Sequence, residues 1–172
     1  MCIRDRVYND PKGGFTDKQI KNYTKQASKV GIELKVVTST VEIVDYVNNK
    51  TGRDSRFEDK ITSFYYVGHA TPGDLDVGYG GTGAYLEPGD DFKSSAFESG
   101  AWVNLVGGCR TAVKGNLPFE PSLVEQFVKL LDEKSTIHGS DVRVQYSGGV
   151  MTDDQLLKEN KGRTVTKKGI RK

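Results

Sequence analysis

Apolar residues recur at helical spacing in three long segments, and each segment begins with residues that can cap a helix. Thr16-Asp17-Lys18-Gln19 is a capping box, in which two side chains satisfy the first unpaired backbone amides of a helix. Ser39 opens a second helix, and Ser122-Leu123-Val124-Glu125 is another capping box. Gly31 ends the first helix because glycine adopts a left-handed backbone cheaply.

Runs of apolar and β-branched residues lie between these helices and predict strands. The two densest runs are rich in apolar and aromatic residues, as is typical of strands buried on both faces of a parallel sheet. The predicted strands are Ile32–Val37, Ile61–Val67, Ala101–Val106, Asp141–Tyr146 and Arg163–Thr166, with Val7 and Tyr8 as the remnant of a first strand. Short helices are predicted for Phe92–Ser99 and Thr152–Asn160, and residues 70–91 predict a long exposed loop with room for a hairpin. This alternation predicts an α/β fold with a mainly parallel sheet and helices on both faces.

Composition and charge narrow the classes of protein to which the chain can belong. Its 172 residues suit one domain with a sizeable core, and no apolar run approaches the roughly 20 residues of a membrane helix. The net charge of +2 provides no global basic field, so neither a membrane nor a nucleic acid is an expected partner. Residues 158–172 hold seven Lys or Arg and one acid, and we interpret them as a solvated basic tail.

The two cysteines and the two histidines limit the possible metal and disulfide chemistry. Cys2 lies near the start of the chain, so a disulfide framework is not expected, and the four residues are too few for a structural zinc site. Residues 1–8 are too charged to be a signal peptide, and Met1–Arg6 resembles an adapter-derived start. We therefore treat residues 1–6, Cys2 included, as non-native, residues 7–150 as one domain, and residues 151–172 as a short helix and basic tail.

Reactive residues follow the two most apolar strands. His69 comes after Phe64-Tyr65-Tyr66-Val67-Gly68, and Cys109 comes after Val103-Asn104-Leu105-Val106-Gly107-Gly108. The carboxyl ends of parallel strands meet at one edge of a sheet, so we expect these side chains to lie close together. A thiolate attacks carbonyl carbon and an imidazole transfers protons near neutral pH, so the pair predicts nucleophilic catalysis.

These two blocks resemble the superfamily of caspases, gingipains, legumains and clostripain. In that group an apolar strand ends in His-Gly and the next ends in a small residue followed by Cys; Cys109-Arg110 with His69 upstream is also close to the caspase signature. The resemblance implies a three-layer α/β/α caspase-like fold and a cysteine endopeptidase with His69 and Cys109 as its catalytic dyad. It also implies an oxyanion site formed by the backbone amides of Ala70 and Cys109. The chain departs from the pattern at Ala70, where Gly is usual, and at Gly108, where caspases commonly have Ala.

The resemblance further implies where a substrate side chain would be recognised. In this superfamily a charged group near the nucleophile often binds the residue before the scissile bond, and Asp141 and Arg143 are the candidates here. The segment from Gly139 to Gly149 is similar to the end of toxin domains in bacterial RHS-type polymorphic proteins. This similarity suggests a domain that is secreted or delivered as part of a larger protein. Self-processing is another role that the sequence leaves open.

Two other functions are compatible with the same residues. A thiol amidase or transferase acting on protein side chains would use the same dyad, and an inactive caspase-like interaction domain would use neither residue. The expected partner is a protein or peptide substrate, the chemistry requires no cofactor or metal, and the oligomeric state is left open.

Three weaker patterns receive ordinary interpretations. Gly78-Tyr79-Gly80-Gly81-Thr82-Gly83 matches G-x-G-x-x-G, but the Pro88-Gly89 that follows starts a helix poorly, so we interpret it as a flap beside His69. Asp74, Asp76, Asp90 and Asp91 do not follow a calcium-binding pattern and are interpreted as solvated loop acids. His138 is interpreted as a structural histidine.

Overall fold

In the described part of the chain, six strands form one sheet, and five of them are parallel. The computed structural model describes residues 2–5, 15–29, 31–50, 56–77, 84–115, 117, 119–144, 158 and 161–171. The strands of this sheet are β1 (Cys2–Asp5), β2 (Leu34–Val37), β3 (Ile61–Val67), β7 (Phe97–Gly107), β8 (Thr136–Ser140) and β9 (Thr164–Lys168). Their order across the sheet is β2-β1-β3-β7-β8-β9, and β9 is antiparallel to β8. The prediction of an α/β fold with a mainly parallel sheet is confirmed.

The three long helices begin at the predicted caps. They are α1 (Asp17–Lys29), α2 (Thr40–Asn49) and α4 (Leu123–Leu130). Both capping boxes form: the backbone amide of Gln19 donates to Thr16 Oγ1 at 3.3 Å, and that of Glu125 donates to Ser122 Oγ at 3.1 Å. Gly31 has a φ of 69°, the left-handed conformation expected at the end of α1.

The helices α2 and α4 share one core with the sheet. Four phenylalanine rings lie at its centre, with Phe64 and Phe127 separated by 5.6 Å between ring centroids. Phe92 and Phe97 each approach both of those rings at 6.1 to 6.2 Å. Such aromatic pairs each contribute about 0.5–1.5 kcal/mol beyond the apolar area that they bury.

A second, three-stranded antiparallel sheet follows β3. It consists of β4 (His69–Thr71), β5 (Asp74–Val77) and β6 (Ala84–Leu86). Pro72 and Gly73, whose φ is 96°, are the residue types of a type II turn between β4 and β5. The predicted hairpin is confirmed, but the prediction of an exposed loop is wrong, since Leu75, Val77 and Leu86 are fully buried.

The predicted helix at Phe92–Ser99 is wrong. A four-residue helix, α3 (Pro88–Asp91), and a 3₁₀ turn at Ser94–Ala96 precede β7, which already begins at Phe97. Phe97 pairs with Ile61 of β3 and buries its ring in the phenylalanine cluster, and this packing outweighs the local helical pattern. Gly100 has a φ of 77° within the irregular first part of β7.

The predicted strand at Asp141–Tyr146 is also wrong over its described part. The strand is β8, which lies earlier, and Asp141–Val144 is irregular. The backbone there bonds to the turn after Cys109 instead of to a sheet: the amide of Arg110 donates to Val142 O at 2.8 Å.

Both ends of the described chain belong to the main sheet. The first strand lies at Cys2–Asp5, inside the segment that we set apart as residues 1–6, and it pairs with β2 and β3. The predicted edge strand near residue 163 is confirmed as β9. Beyond it, the amides of Ile170 and Arg171 donate to Val128 O and Leu131 O at 3.0 and 2.9 Å. The backbone of residues 164–171 is therefore packed on the domain and is not a free tail.

Two predicted elements cannot be compared with the structure in full. Val7 and Tyr8 lie outside the described residues, as does the helix predicted for Thr152–Asn160 apart from Lys158.

Candidate functional site

The residues before His69 and Cys109 are neighbours in the main sheet. Val67, the last residue of β3, is the register partner of Gly107, the last residue of β7, so His69 and Cys109 each lie two positions beyond this pair. The amide of Gly68 extends the pairing by donating to Gly107 O at 3.3 Å. The structure therefore brings the two predicted residues to the same edge of the sheet.

The two segments are still in contact beyond the sheet. A Cβ atom built on Gly108 would lie 3.3 Å from the Cβ atom of Ala70 and 3.3 Å from Cδ1 of Tyr66. Gly108 therefore allows the turn that carries Cys109 to approach the strand that carries His69.

A buried tyrosine supports the backbone of His69. The hydroxyl of Tyr66 donates to His69 O at 2.5 Å, and the side chain of Tyr66 is almost fully buried. His69 is the first residue of β4 and is half-buried, so its backbone is held on one side by this hydroxyl and on the other by β5.

Thr111 fixes the turn after Cys109. Its buried hydroxyl donates to Leu105 O at 3.0 Å and accepts from the amide of Ser140 at 2.9 Å, which joins the turn to β7 and β8. The carbonyl of Thr111 accepts from Val124 N at the start of α4 at 3.0 Å. Arg110 has a φ of 53°, an uncommon value for a residue other than glycine, and such strained positions are often found at functional sites.

The thiol of Cys109 lies against the backbone of Val144. Its sulfur accepts from Val144 N at 3.3 Å and donates to Val144 O at 3.4 Å. Cys109 is half-buried and packs with Val106, Val142 and Val144. The amide and the carbonyl of Val144 therefore both face the sulfur.

The structure also places Asp76 beside His69, which the sequence analysis did not anticipate. The two residues are register partners across β4 and β5, and Asp76 is only 9% exposed. Burial raises the pKa of the Asp76 carboxyl above its usual range, while the charge of His69 acts in the opposite direction. The alternation of Asp74-Leu75-Asp76-Val77 was a signal for a strand, but it was interpreted as part of a loop.

The two predicted substrate-binding residues have different surroundings. The carboxylate of Asp141 accepts from Arg163 N at 2.7 Å and from Arg163 Nε at 3.4 Å, so it already has a cationic partner. Arg143 is exposed and lies next to Val144, the residue that contacts the Cys109 sulfur. The roles of these residues, and that of the Ala70 and Cys109 amides in an oxyanion site, stay predictions.

The weaker candidates belong to several elements, and the interpretation of Asp74 and Asp76 as solvated loop acids is wrong, since both lie on β5 and Asp76 is only 9% exposed. Asp74 and Asp76 are on β5, whereas Asp90 and Asp91 are on α3, and the described residues contain no group of three or more His, Cys, Asp or Glu arranged to hold a metal ion. His138 lies within β8, where its Nδ1 atom is 2.9 Å from Thr166 Oγ1 and its ring is 5.4 Å from that of Trp102. The Gly78–Gly83 motif lies outside the described residues.

Comparison with known proteins adds no family to this description. No protein-family model matches the chain, and no curated protein matches it. Within the described part of the chain, no helix has the length and apolar character needed to cross a membrane.

Proposed function

We propose that this domain is a cysteine endopeptidase of the caspase-like type, with a three-layer α/β/α arrangement and a His69–Cys109 dyad. The observation that carries the proposal is the pairing of Val67 with Gly107. Because these residues end neighbouring strands, His69 and Cys109 each follow a strand end by two positions. The close approach of Gly108 to Ala70 supports it, since a Cβ atom on Gly108 would lie only 3.3 Å from the Cβ atom of Ala70. The amide of Val144 is a further support because it points at the sulfur.

The proposed reaction proceeds in two halves. His69 takes the proton of the Cys109 thiol, the sulfur attacks the carbonyl carbon of the scissile peptide bond, and the oxygen takes up the negative charge. The C–N bond then breaks as His69 gives a proton to the leaving amine, and the acyl group remains on Cys109 as a thioester. Water attacks the thioester while His69 accepts a proton from it, which releases the carboxylate product and restores the thiol.

The proposal is tested by labelling new protein N-termini in a whole-cell lysate. The lysate is incubated in parallel with the wild-type domain, with Cys109→Ala and with His69→Ala. Cys2→Ala is the matched control because it removes the only other thiol of the chain. We expect new termini with the wild type and with Cys2→Ala, and none with the two dyad variants.

Other outcomes distinguish the alternatives. Release of ammonia without new termini, lost in Cys109→Ala, would assign the dyad to an amidase acting on side chains. Identical results for the folded wild type and folded Cys109→Ala in both assays would contradict a catalytic role and favour an interaction domain.

The proposed role as a toxin within a larger bacterial protein needs a separate test. Expression of the wild-type domain in bacteria should slow growth, and expression of Cys109→Ala should not. Equal growth of the two strains at equal protein levels would contradict the toxin role without affecting the peptidase proposal.

A further inference from the structure

The hairpin that carries His69 also carries an acid directly opposite to it. In the antiparallel register of β4 and β5, His69 is paired with Asp76 and Thr71 with Asp74. Directly opposite residues point to the same face of a sheet, and their Cβ atoms are about 4.5–5.5 Å apart. An imidazole and a carboxylate can form a hydrogen bond across that separation.

The burial of Asp76 distinguishes it from an ordinary surface acid. The side chain of Asp76 is only 9% exposed, although it points to the face of the hairpin opposite to the buried Leu75 and Val77. A carboxylate in such surroundings is costly unless a donor or a positive charge compensates for the lost water. His69 is a group of the required type on the facing strand, and its charge acts on Asp76.

We propose that Asp76 is a positioning residue for His69: its carboxylate accepts a hydrogen bond from one ring nitrogen and so leaves the other nitrogen to exchange protons at Cys109. A neutral imidazole carries its proton on either nitrogen, and a fixed acceptor selects one of the two tautomers. The same carboxylate stabilises the imidazolium that forms when the thiol loses its proton. The catalytic part of this inference rests on the proposed peptidase function, whereas the hydrogen bond itself does not.

The hydrogen bond is tested by ¹⁵N NMR of the histidine side chains. The chain has two histidines, so His138→Gln leaves the signals of His69 alone. In mildly alkaline buffer we expect two well-separated ring ¹⁵N shifts in this background, the signature of one tautomer. Asp76→Asn should move the two shifts toward each other, and Asp76→Glu should restore part of the separation.

Asp74→Asn is the matched control. Asp74 lies two positions away on the same face of the same strand, is half-buried and is paired with Thr71 instead of His69. It should leave the His69 shifts unchanged. Averaged shifts in the chain with Asp76 intact would overturn the proposal even if the Asp76 variants do not fold.

Kinetics separate this proposal from the peptidase proposal. With a cleavable peptide, Asp76→Asn should lower kcat about tenfold or more with little change in KM, because proton transfer is impaired and substrate binding is not. A fixed tautomer in a domain without any Cys109-dependent cleavage would contradict the peptidase function and leave the Asp76–His69 bond in place. Normal cleavage by Asp76→Asn with unchanged shifts would overturn the positioning role alone.

Discussion

Substitution of Gly108 by alanine tests how closely the His69 and Cys109 segments pack. The added Cβ atom would lie 2.8 Å from Cγ2 of Thr111 and 3.3 Å from carbon atoms of Ala70 and Tyr66. Carbon atoms prefer separations of about 3.5–4.0 Å, so the closest contact is too short by about 0.7 Å. Thr111 and Tyr66 are almost fully buried and belong to fixed elements, so they cannot move away freely.

We expect Gly108→Ala to destabilise the domain by about 1–3 kcal/mol, the usual cost of overpacking a core. For a chain of this length the melting temperature should fall by roughly 2–12 °C. Gly89→Ala is the control: its Cβ atom would make an ordinary 3.4 Å contact with Gln126, so its melting temperature should stay the same or rise slightly.

A second substitution identifies the contact that is responsible. Thr111→Ser removes Cγ2 and keeps the hydroxyl that bonds to Leu105 and Ser140. Urea denaturation then compares the free energy of unfolding of the double variant with that of the two single variants. The double variant should lose about 1 kcal/mol less than the sum of the two single losses. Additive effects, or a Gly108→Ala variant as stable as the wild type, would refute the packing described between the two segments.

Three further substitutions test the supports of the fold. Ser122→Ala removes the hydroxyl of the α4 capping box and should cost about 1 kcal/mol in urea denaturation, and an unchanged midpoint would show that the cap is dispensable. Arg56→Met leaves three carbonyls (Tyr46, Val47 and Asp59) without the buried guanidinium that donates to them and should cost about 3 kcal/mol, with Arg56→Lys losing less. Hydrogen bonds from Ser99 and Ser135 hold the pKa of Asp132 well below its usual range, so the ionised carboxylate stabilises the fold above about pH 4. This stabilisation is lost as the pH falls toward the lower pKa of the folded state. The difference in melting temperature between wild type and Asp132→Asn should therefore narrow in acid, and a constant difference would contradict this assignment.

Local sequence signals were sufficient where a segment's own residues determine its structure. The helices α1 and α4 begin with reciprocal cap hydrogen bonds that four consecutive residues provide, so their first residues could be predicted. The strand β3 was predicted with its observed bounds, because β-branched and aromatic residues dominate its seven positions and favour an extended strand.

Long-range pairing explains the predictions that failed. Phe97 reads locally as part of a helix, but its ring is required in a cluster with residues from β3 and α4. Cys2–Asp5 contains little apolar character, yet strands on both sides satisfy its backbone. Asp76 illustrates the same limit at the candidate site. The strand order was enough to predict that the ends of β3 and β7 meet, but predicting that Asp76 lies opposite His69 required the register of the hairpin.

The edge strand β9 has a consequence for the behaviour of the domain at high concentration. An exposed sheet edge offers unpaired backbone groups to a strand of any other molecule, which is a common route to aggregation. The outer strand β9 ends in Lys167 and Lys168, which are adjacent and exposed and so point to opposite faces of the sheet. A second copy that extended the sheet at this edge would bring like charges together on both faces. These lysines thus oppose growth of the described sheet from molecule to molecule at its β9 edge.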